Sequence, residues 1–284
     1  MKLFHTGVAC ALLSIAVISS GCGTINRIRA KNQLNEGART YKAGKFAEAE
    51  EHFQRAAELD PTQTNALFFR ARSIHSQYRP GVEGEQNKEK AREAIAAYQK
   101  VLEVNPQNDE AYIAVASLYR AINEEDKERD WITTRANLDS MPKVKRAEAY
   151  AVLASKQWNC AFTITEQKQN QKNVTKPDGK VIIQYVKPKE QKDFDQAQQC
   201  AVEGLRLADQ AISLDPDSEV AWSYKTNLLN QMGRLAEMEG NAGRKSEYDK
   251  QAQVAQQRTS ELNEINKQRK KEEEARKAPA QSTS

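Results

Sequence analysis

Glycine and proline are scarce in this sequence, and neither basic nor acidic residues dominate it. Its 284 residues include only 12 glycines and 8 prolines, and 43 basic residues stand against 39 acidic ones, giving a formal charge of +4. So few helix-breaking residues, in a chain rich in Ala, Glu, Gln, Lys and Arg, favour long helices. The nearly balanced charge does not indicate nucleic-acid binding. A hydrophobic fraction of 39% and a mean hydropathy of −0.81 exclude a protein with many membrane spans.

The sequence also lacks the residue patterns of most catalytic and metal sites. Past residue 21 it contains only two histidines, His52 and His75. It has no glycine-rich phosphate loop, no cysteine and histidine cluster at metal-ligand spacing, and no nucleophile elbow. We therefore predict no catalytic residue, no metal, no cofactor, no small-molecule substrate and no enzyme activity. His52 is predicted to be a surface residue, and His75 either a binding contact or a hydrogen-bonded surface group.

The first 22 residues have the pattern of a targeting signal. Residues 8–18 form an apolar segment too short to cross a membrane as a helix, and the small residues 19–21 precede Cys22. This junction resembles the lipobox of bacterial lipoproteins, although Ser19 stands where that family usually has leucine. The resemblance implies cleavage before Cys22 and lipidation of that cysteine. The alternative is a cleaved secretory peptide that leaves Cys22 as a free thiol.

The residue after the cysteine bears on location. Gly23 stands where aspartate would indicate retention in an inner membrane. By the same resemblance, we expect a lipid-anchored protein of the bacterial cell envelope, in the outer membrane and facing the periplasm.

Residues 45–61 carry the most informative repeat pattern. Ala49 and Ala56 are small where two paired helices would approach closely, and Phe53 is large enough to fill the space between them. Pro61 would end the helix. This pattern resembles the second helix of a tetratricopeptide repeat (TPR). Similar helix endings, two of them 34 residues apart as in the TPR period, lie at residues 59–61, 104–106, 138–140 and 214–216.

The resemblance implies an all-α fold, a right-handed superhelical solenoid of about five TPR-like helical hairpins over residues 30–268. The fourth repeat is longer than the others. It contains a proline–aspartate–glycine turn followed by a run of strand-forming residues, which predicts a small β-hairpin insertion near residues 173–189. The predicted helical hairpins are residues 30–63, 64–106, 107–140, 143–216 and 217–268.

Both ends of the chain lie outside these repeats. Residues 1–21 are assigned to a signal peptide that is removed, and residues 22–29 to a tether. A polar capping helix is predicted from about residue 245 to 277. It grades into a charged, disordered tail at residues 269–284, where the charges are either a solvated helix end or a contact for an anionic partner.

In the TPR family, the first helix of each hairpin lines a concave groove that takes an extended peptide or a helical partner. Placing this sequence on that pattern puts aromatic, apolar and basic residues together in the groove, which suits a protein or peptide partner. Phe68 and Ile113 could instead belong to the core between helices. The predicted partner-binding residues are Tyr41, Phe68, Arg72, His75, Ile113, Arg120, Trp158 and Asn227, with Leu34 and Ser117 as further candidates.

Two cysteines remain once Cys10 is assigned to the signal peptide and Cys22 to the lipid. Cys160 falls in the first helix of the fourth predicted hairpin and Cys200 in the second. Paired helices approach closely enough to meet the Cα separation of a disulfide, and the implied compartment is oxidising. We predict a Cys160–Cys200 disulfide, and the alternative is a pair of buried free thiols.

The predicted function is that of a membrane-anchored, periplasm-facing scaffold lipoprotein that mediates protein–protein interactions. Its expected partners are a protein or peptide in the groove and a membrane, through the lipid on Cys22, with no nucleic acid. Two alternatives stay open. One is an assembly or pilot lipoprotein for outer-membrane β-barrel insertion, a pilus or a secretion machinery, and the other is an activator of a cell-wall enzyme.

Overall fold

The computed structural model describes the backbone of residues 4–277 and the side chains of residues 23–276. Over this range the fold is all-α apart from one small β-hairpin, as predicted. The chain divides into two compact units, the first ending at Trp131 and the second beginning at Ile132. No helix within the described range combines the length and the apolar character that a membrane crossing requires.

The first unit is built from helices that pack against their neighbours in the sequence. The helices are α1 (Phe4–Lys42), α2 (Phe46–Leu59), α3 (Thr64–His75), α4 (Glu85–Val104), α5 (Asp109–Ala121) and α6 (Glu125–Asn137), the last of which continues past Trp131.

Small residues set the distance between the two helices of the first hairpin. Ala49 and Ala56 of α2 have no exposed surface, and the ring of Phe53 between them packs against Gly37 of α1. A Cβ atom at Gly37 would lie 2.7 Å from this ring. Because core atoms are already in contact, a larger residue would push the helices apart. The packing roles predicted for these residues of α2 agree with the structure.

The helix-ending triplets act through local hydrogen bonds. Asp60 Oδ1 accepts bonds from the backbone N–H of Thr62 at 3.2 Å and from its hydroxyl at 2.6 Å. Asp215 Oδ1 likewise accepts from the backbone N–H of Asp217 at 3.2 Å. Such Asx turns satisfy backbone groups that the end of a helix would leave unpaired. They explain why an acidic residue before proline marks the end of a repeat.

The second unit combines helical hairpins with the β-hairpin insertion. A short 3₁₀ turn, Lys168–Asn170, leads from the first long helix into the two strands. Its elements are α7 (Lys143–Thr165), β1 (Gln171–Thr175), β2 (Val181–Tyr185), α8 (Gln191–Leu214), α9 (Glu219–Met238) and α10 (Ala242–Lys277).

The β-hairpin confirms the predicted insertion with a change in its bounds. The strands are antiparallel, with Gln171 opposite Tyr185, and Gly179 in the turn has a φ of +81° that favours glycine. The pairing covers residues 171–185, whereas the prediction was residues 173–189. The second strand ends at Tyr185 because its partner strand begins at Gln171, directly after the 3₁₀ turn.

Residues 269–277 were predicted both as the end of the polar capping helix and as the start of the charged tail. In the structure they are helical, because helix α10 continues to Lys277. The segment consists largely of Lys, Arg and Glu, which are strong helix formers, and pairs such as Lys267–Glu264 stabilise successive turns. Residues 278–284 lie outside the described range.

Only part of the predicted amino-terminal organisation falls within the described residues. The predicted tether, residues 22–29, belongs to α1. The side chains of residues 1–22 lie outside the described range, and Cys22 is among them.

Cys160 of α7 and Cys200 of α8 form the predicted disulfide, with their Cα atoms 6.1 Å apart. Close packing brings the two helices together here, since Ala161, Ala197 and Ala201 are buried beside the bridge. The bond joins residues 40 positions apart and encloses the whole β-hairpin.

Replacing both cysteines by alanine (C160A/C200A) should lower the free energy of unfolding by up to about 4 kcal/mol, because a cross-link over 40 residues restricts the unfolded chain. Urea denaturation of the full chain measures this change, and hydrogen exchange should show residues 166–189 losing protection before the first unit does. Either single alanine variant should cost as much as the pair, since one lost sulfur already removes the bond. Thiol labelling of both cysteines in protein from an oxidising compartment would contradict the bridge.

Candidate partner-binding groove

Helices α1, α3 and α5 of the first unit line an open cavity of about 610 Å³, which we call the groove. Five of the eight predicted partner-binding residues lie in its wall, on three different helices. The predicted residues that line it are Tyr41, Phe68, Arg72, His75 and Ile113, together with the further candidate Ser117.

The floor of the groove is aromatic. The ring of Phe68 lies 6.0 Å from that of buried Tyr98, and the ring of His75 stands nearly perpendicular to Tyr98 at 5.9 Å. His75 Nδ1 and the Tyr98 hydroxyl are hydrogen-bonded at 3.3 Å. Burial raises the pKa of Tyr98 well above its ordinary value. Burial is the larger cause that lowers the pKa of His75, and the nearby charge of Arg72 lowers it further. Both side chains are therefore neutral at pH 7.

Arg72 supplies a positive charge at the edge of this floor. Its guanidinium carbon lies 5.9 Å from the ring centroids of both Tyr41 and Phe68, an arrangement that holds a cation over aromatic faces. The side chain is exposed and forms no ion pair with any residue in the described part of the chain. The Tyr41 hydroxyl is bonded to Ser76 Oγ at 2.9 Å, which fixes one of these rings.

The opposite wall of the groove comes from α5. Ile113 is 52% exposed and lines the cavity, so the alternative that it belongs to the core is wrong. Phe68 is half-buried, which lets it pack against Phe69 and Tyr98 while one side faces the cavity. Glu110, one helical turn before Ile113, adds a negative charge to this wall.

The segment between α3 and α4 closes one end of the groove with Tyr78 and Pro80. Asn87 holds this segment in place. Its amide oxygen accepts from the backbone N–H of Arg79 at 2.9 Å, and its amide nitrogen donates to the carbonyls of Arg79 and Val82. The Tyr78 hydroxyl donates to the carbonyl of Ala121 at 3.1 Å, which attaches the segment to the end of α5.

Three of the eight predicted residues do not line the groove, and neither does the further candidate Leu34. Arg120 donates from Nε to Oε1 of Glu128 at 2.8 Å, and this carboxylate has no exposed surface. A buried charge requires such a partner, so Arg120 serves the fold. Trp158 and Asn227 belong to the second unit. There Trp158 packs on Phe162, with ring centroids 4.9 Å apart, and Asn227 lies half-buried on α9.

Sequence reasoning missed part of the groove, in part because it considered only first helices. Tyr98 comes from a second helix, yet its ring forms the floor. The positions of Tyr78 and Pro80 could not be predicted, because they depend on the hydrogen bonds that Asn87 makes to the segment between α3 and α4. The lining residues that were missed are Ser76, Tyr78, Pro80, Tyr98, Glu110 and Ala114.

The described side chains include no group of three or more His, Cys, Asp or Glu residues arranged to hold a metal ion. In the groove, the polar atoms of His75 and Tyr41 are engaged by Tyr98 and Ser76. The expectation that the protein has no cofactor and no enzyme activity stays a prediction.

Comparison with known proteins identifies one repeat. Residues 86–108 match the family model described as tetratricopeptide repeat. This match covers α4 and the turn after it, in the second predicted hairpin, although the first hairpin carries the fuller pattern in the sequence. No curated protein matches the chain.

Solved structures give only distant similarity. A crystal structure of MamA has a TM-score of 0.41 and 15% identity, over 82% of this chain and 94% of that one. MamA residues 41 to the end, from Desulfovibrio magneticus RS-1, give 0.38 and 14% over 84% and 96%. YrrB, titled a TPR protein with an unusual peptide-binding site, gives 0.38 and 12% over 83% and 90%. Scores this low carry no argument about the present chain.

His75 should titrate with a pKa below its ordinary value of 6.5. Below pH 6.5 the unfolded chain then binds the proton more readily than the folded one, so stability falls as the pH drops from 6.5 through the folded pKa. NMR titration of the imidazole measures the value directly. Arg72→Gln should raise it part of the way back, whereas Arg29→Gln, at an exposed arginine of α1 outside the groove, should not. A His75 pKa at or above 6.5 would contradict the buried environment.

Proposed function

We propose that the protein is a scaffold whose groove binds a segment of a partner protein. The observation that carries this proposal is the convergence of Tyr41, Phe68, Arg72, His75 and Ile113 from three helices around one cavity. Consecutive helical hairpins can form a binding surface of this kind, and binding there requires no chemical reaction by any residue.

The composition of the groove indicates the chemistry of the segment. Phe68 and Ile113 offer partly exposed apolar surface on opposite walls, which suits an apolar anchor side chain. The polar atoms of His75 and Tyr41 are engaged by Tyr98 and Ser76, but the charge of Arg72 remains available to a ligand. A carboxylate beside the anchor would meet this guanidinium in a partly desolvated setting, where a charge-assisted hydrogen bond is strong. We therefore expect a segment with an acidic residue next to a large apolar one.

We further propose that the scaffold acts in the bacterial cell envelope, facing the periplasm and anchored by lipid on Cys22. Support comes from the short apolar segment at residues 8–18 and from the small residues directly before Cys22. The disulfide is consistent with an oxidising compartment. An assembly or pilot lipoprotein and an activator of a cell-wall enzyme would use the same groove and differ in the partner bound.

Peptide binding should depend on the groove residues. Peptides selected from a random displayed library against the full chain should bind Ile113→Asp and Arg72→Glu at least about tenfold more weakly, because each change removes a contact worth more than about 1.4 kcal/mol. Fluorescence polarisation with a labelled selected peptide measures the dissociation constants.

Matched controls exist for both changes. Val104→Asp alters a residue that is 53% exposed, almost the same as Ile113, but lies outside the groove. Arg29→Glu reverses an exposed charge on α1 that does not line the groove. Both controls should retain parental affinity. If the selected peptides bind Ile113→Asp and Val104→Asp equally well, the proposed site is wrong.

Cys22→Ser should shift the protein from the membrane fraction of a bacterial host into the soluble periplasmic fraction when the fractions are separated at high salt, which screens contacts between basic residues and lipid phosphates. Acyl chains on the cysteine would supply the anchor, since each buried methylene contributes about 0.8 kcal/mol. Fractionation with detection of the protein measures the shift, and Ser20→Ala leaves the cysteine intact as the control. Intact mass showing an unmodified amino terminus at residue 22 would disprove the anchor without bearing on the groove.

A further inference from the structure

The β-hairpin of the second unit presents apolar side chains to solvent. Val174, Val181, Ile182 and Ile183 are between 37% and 63% exposed. In a strand, alternate residues point to opposite faces. Val181 and Ile183 therefore share one face, and Val174 lies on the other face opposite Ile182. Both faces of the hairpin are thus apolar in part.

The same segment is strongly basic. Residues 167–189 contain six lysines and one acidic residue, Asp178. Asp178 is paired with Lys180 at 3.6 Å, which offsets its charge at the turn. Lys187 lies over the ring of Phe194 at 4.5 Å, near the base of the hairpin. All six lysines are exposed, so the positive charge surrounds the apolar residues.

Contacts at one end fix the hairpin to its unit. The Tyr185 hydroxyl donates to Glu166 Oε1 at 2.9 Å, and its ring lies 4.8 Å from the guanidinium carbon of Arg234. Arg234 also pairs with Glu166 at 2.6 Å, and the backbone N–H of Tyr185 donates to Glu237. These bonds hold the base of the hairpin, while the exposed valines and isoleucines lie toward its turn.

We infer that this hairpin is a membrane-contact element that docks on a bilayer containing anionic lipids. Exposed aliphatic side chains enter the boundary between headgroups and acyl chains, and lysines around them meet the lipid phosphates. Each basic residue near such a surface contributes about 1 kcal/mol, so several lysines together give measurable binding.

A bilayer accounts for the hairpin better than a polypeptide partner does. A protein surface covers one face of a two-stranded sheet and leaves the apolar residues of the other face in water. A strand added to an edge uses backbone groups and covers neither face fully. The boundary region of a bilayer surrounds an inserted hairpin, so it can accommodate both faces and the lysines at once.

Binding to vesicles tests this inference independently of the lipid on Cys22. The full chain carrying Cys22→Ala serves as the parent, so that every variant lacks the anchor and shares the same residues 1–21. It should co-sediment with phosphatidylcholine vesicles that contain phosphatidylglycerol, and less with phosphatidylcholine alone. Hydrogen exchange on the vesicle-bound protein should show added protection at residues 171–185.

Two hairpin variants and one control localise the effect. Lys172→Glu with Lys176→Glu, and separately Val181→Asp with Ile183→Asp, should each lower the vesicle partition coefficient at least about tenfold. The control Lys250→Glu with Lys270→Glu makes the same change in net charge as the lysine variant, on exposed residues of α10, and should stay close to the parent.

Three results would overturn the inference. One is equal vesicle binding by the hairpin variants and the control, and another is vesicle binding without added protection of residues 171–185. The third is protection that rises with protein concentration in the absence of vesicles, because strand pairing between two copies would then occupy the hairpin. None of these results would affect the proposed peptide groove, which lies in the other unit.

Discussion

The helices of this protein approach one another closely at alanine and glycine. Gly37 lies against Phe53 within the first hairpin, and Gly204 of α8 lies against Leu228 of the next helix, α9, where an added Cβ would come within 2.5 Å. Contact this close leaves little room for large side chains between paired helices. Large residues of the first helices, such as Phe68 and Ile113, therefore face the cavity in part. The groove is in this sense a consequence of how the hairpins pack.

In the first unit, the charged residues that stabilise the fold differ from the charged residue that lines the groove on α3. Charges that are buried have partners of their own, as Glu128 has in Arg120. Arg72 instead lies over two aromatic rings, which favour a cation without neutralising it. Keeping this guanidinium charged costs little free energy in the unbound protein. It interacts most strongly with an anion that displaces water from it.

How much could be predicted depended on whether a feature was local in the sequence. Helix ends and hairpin bounds follow from signals within a few residues, such as the Asp60–Pro61 step, and the cysteine pair followed from assigning each cysteine to a helix. Five groove positions followed from placing the sequence on the pattern of the family that it resembles. The role of Tyr98 and the partner of Arg120 could not be predicted, because each depends on which side chain a neighbouring helix brings opposite. The sequence predicted both helix and tail for residues 269–277, because their helix propensity and their high polarity point to different outcomes.

The Cys160–Cys200 bond gives the second unit a property that helix packing alone cannot provide. The chain between the two cysteines forms a covalent ring, and the exposed turn at Pro177–Gly179 is part of that ring. A protease that cuts this turn opens the ring but leaves two polypeptides joined through sulfur. Helices α7 and α8 would remain linked and could stay packed after such a cut. An exposed, strongly basic hairpin can thus be cleaved in a protease-rich environment without separating the helices that carry it.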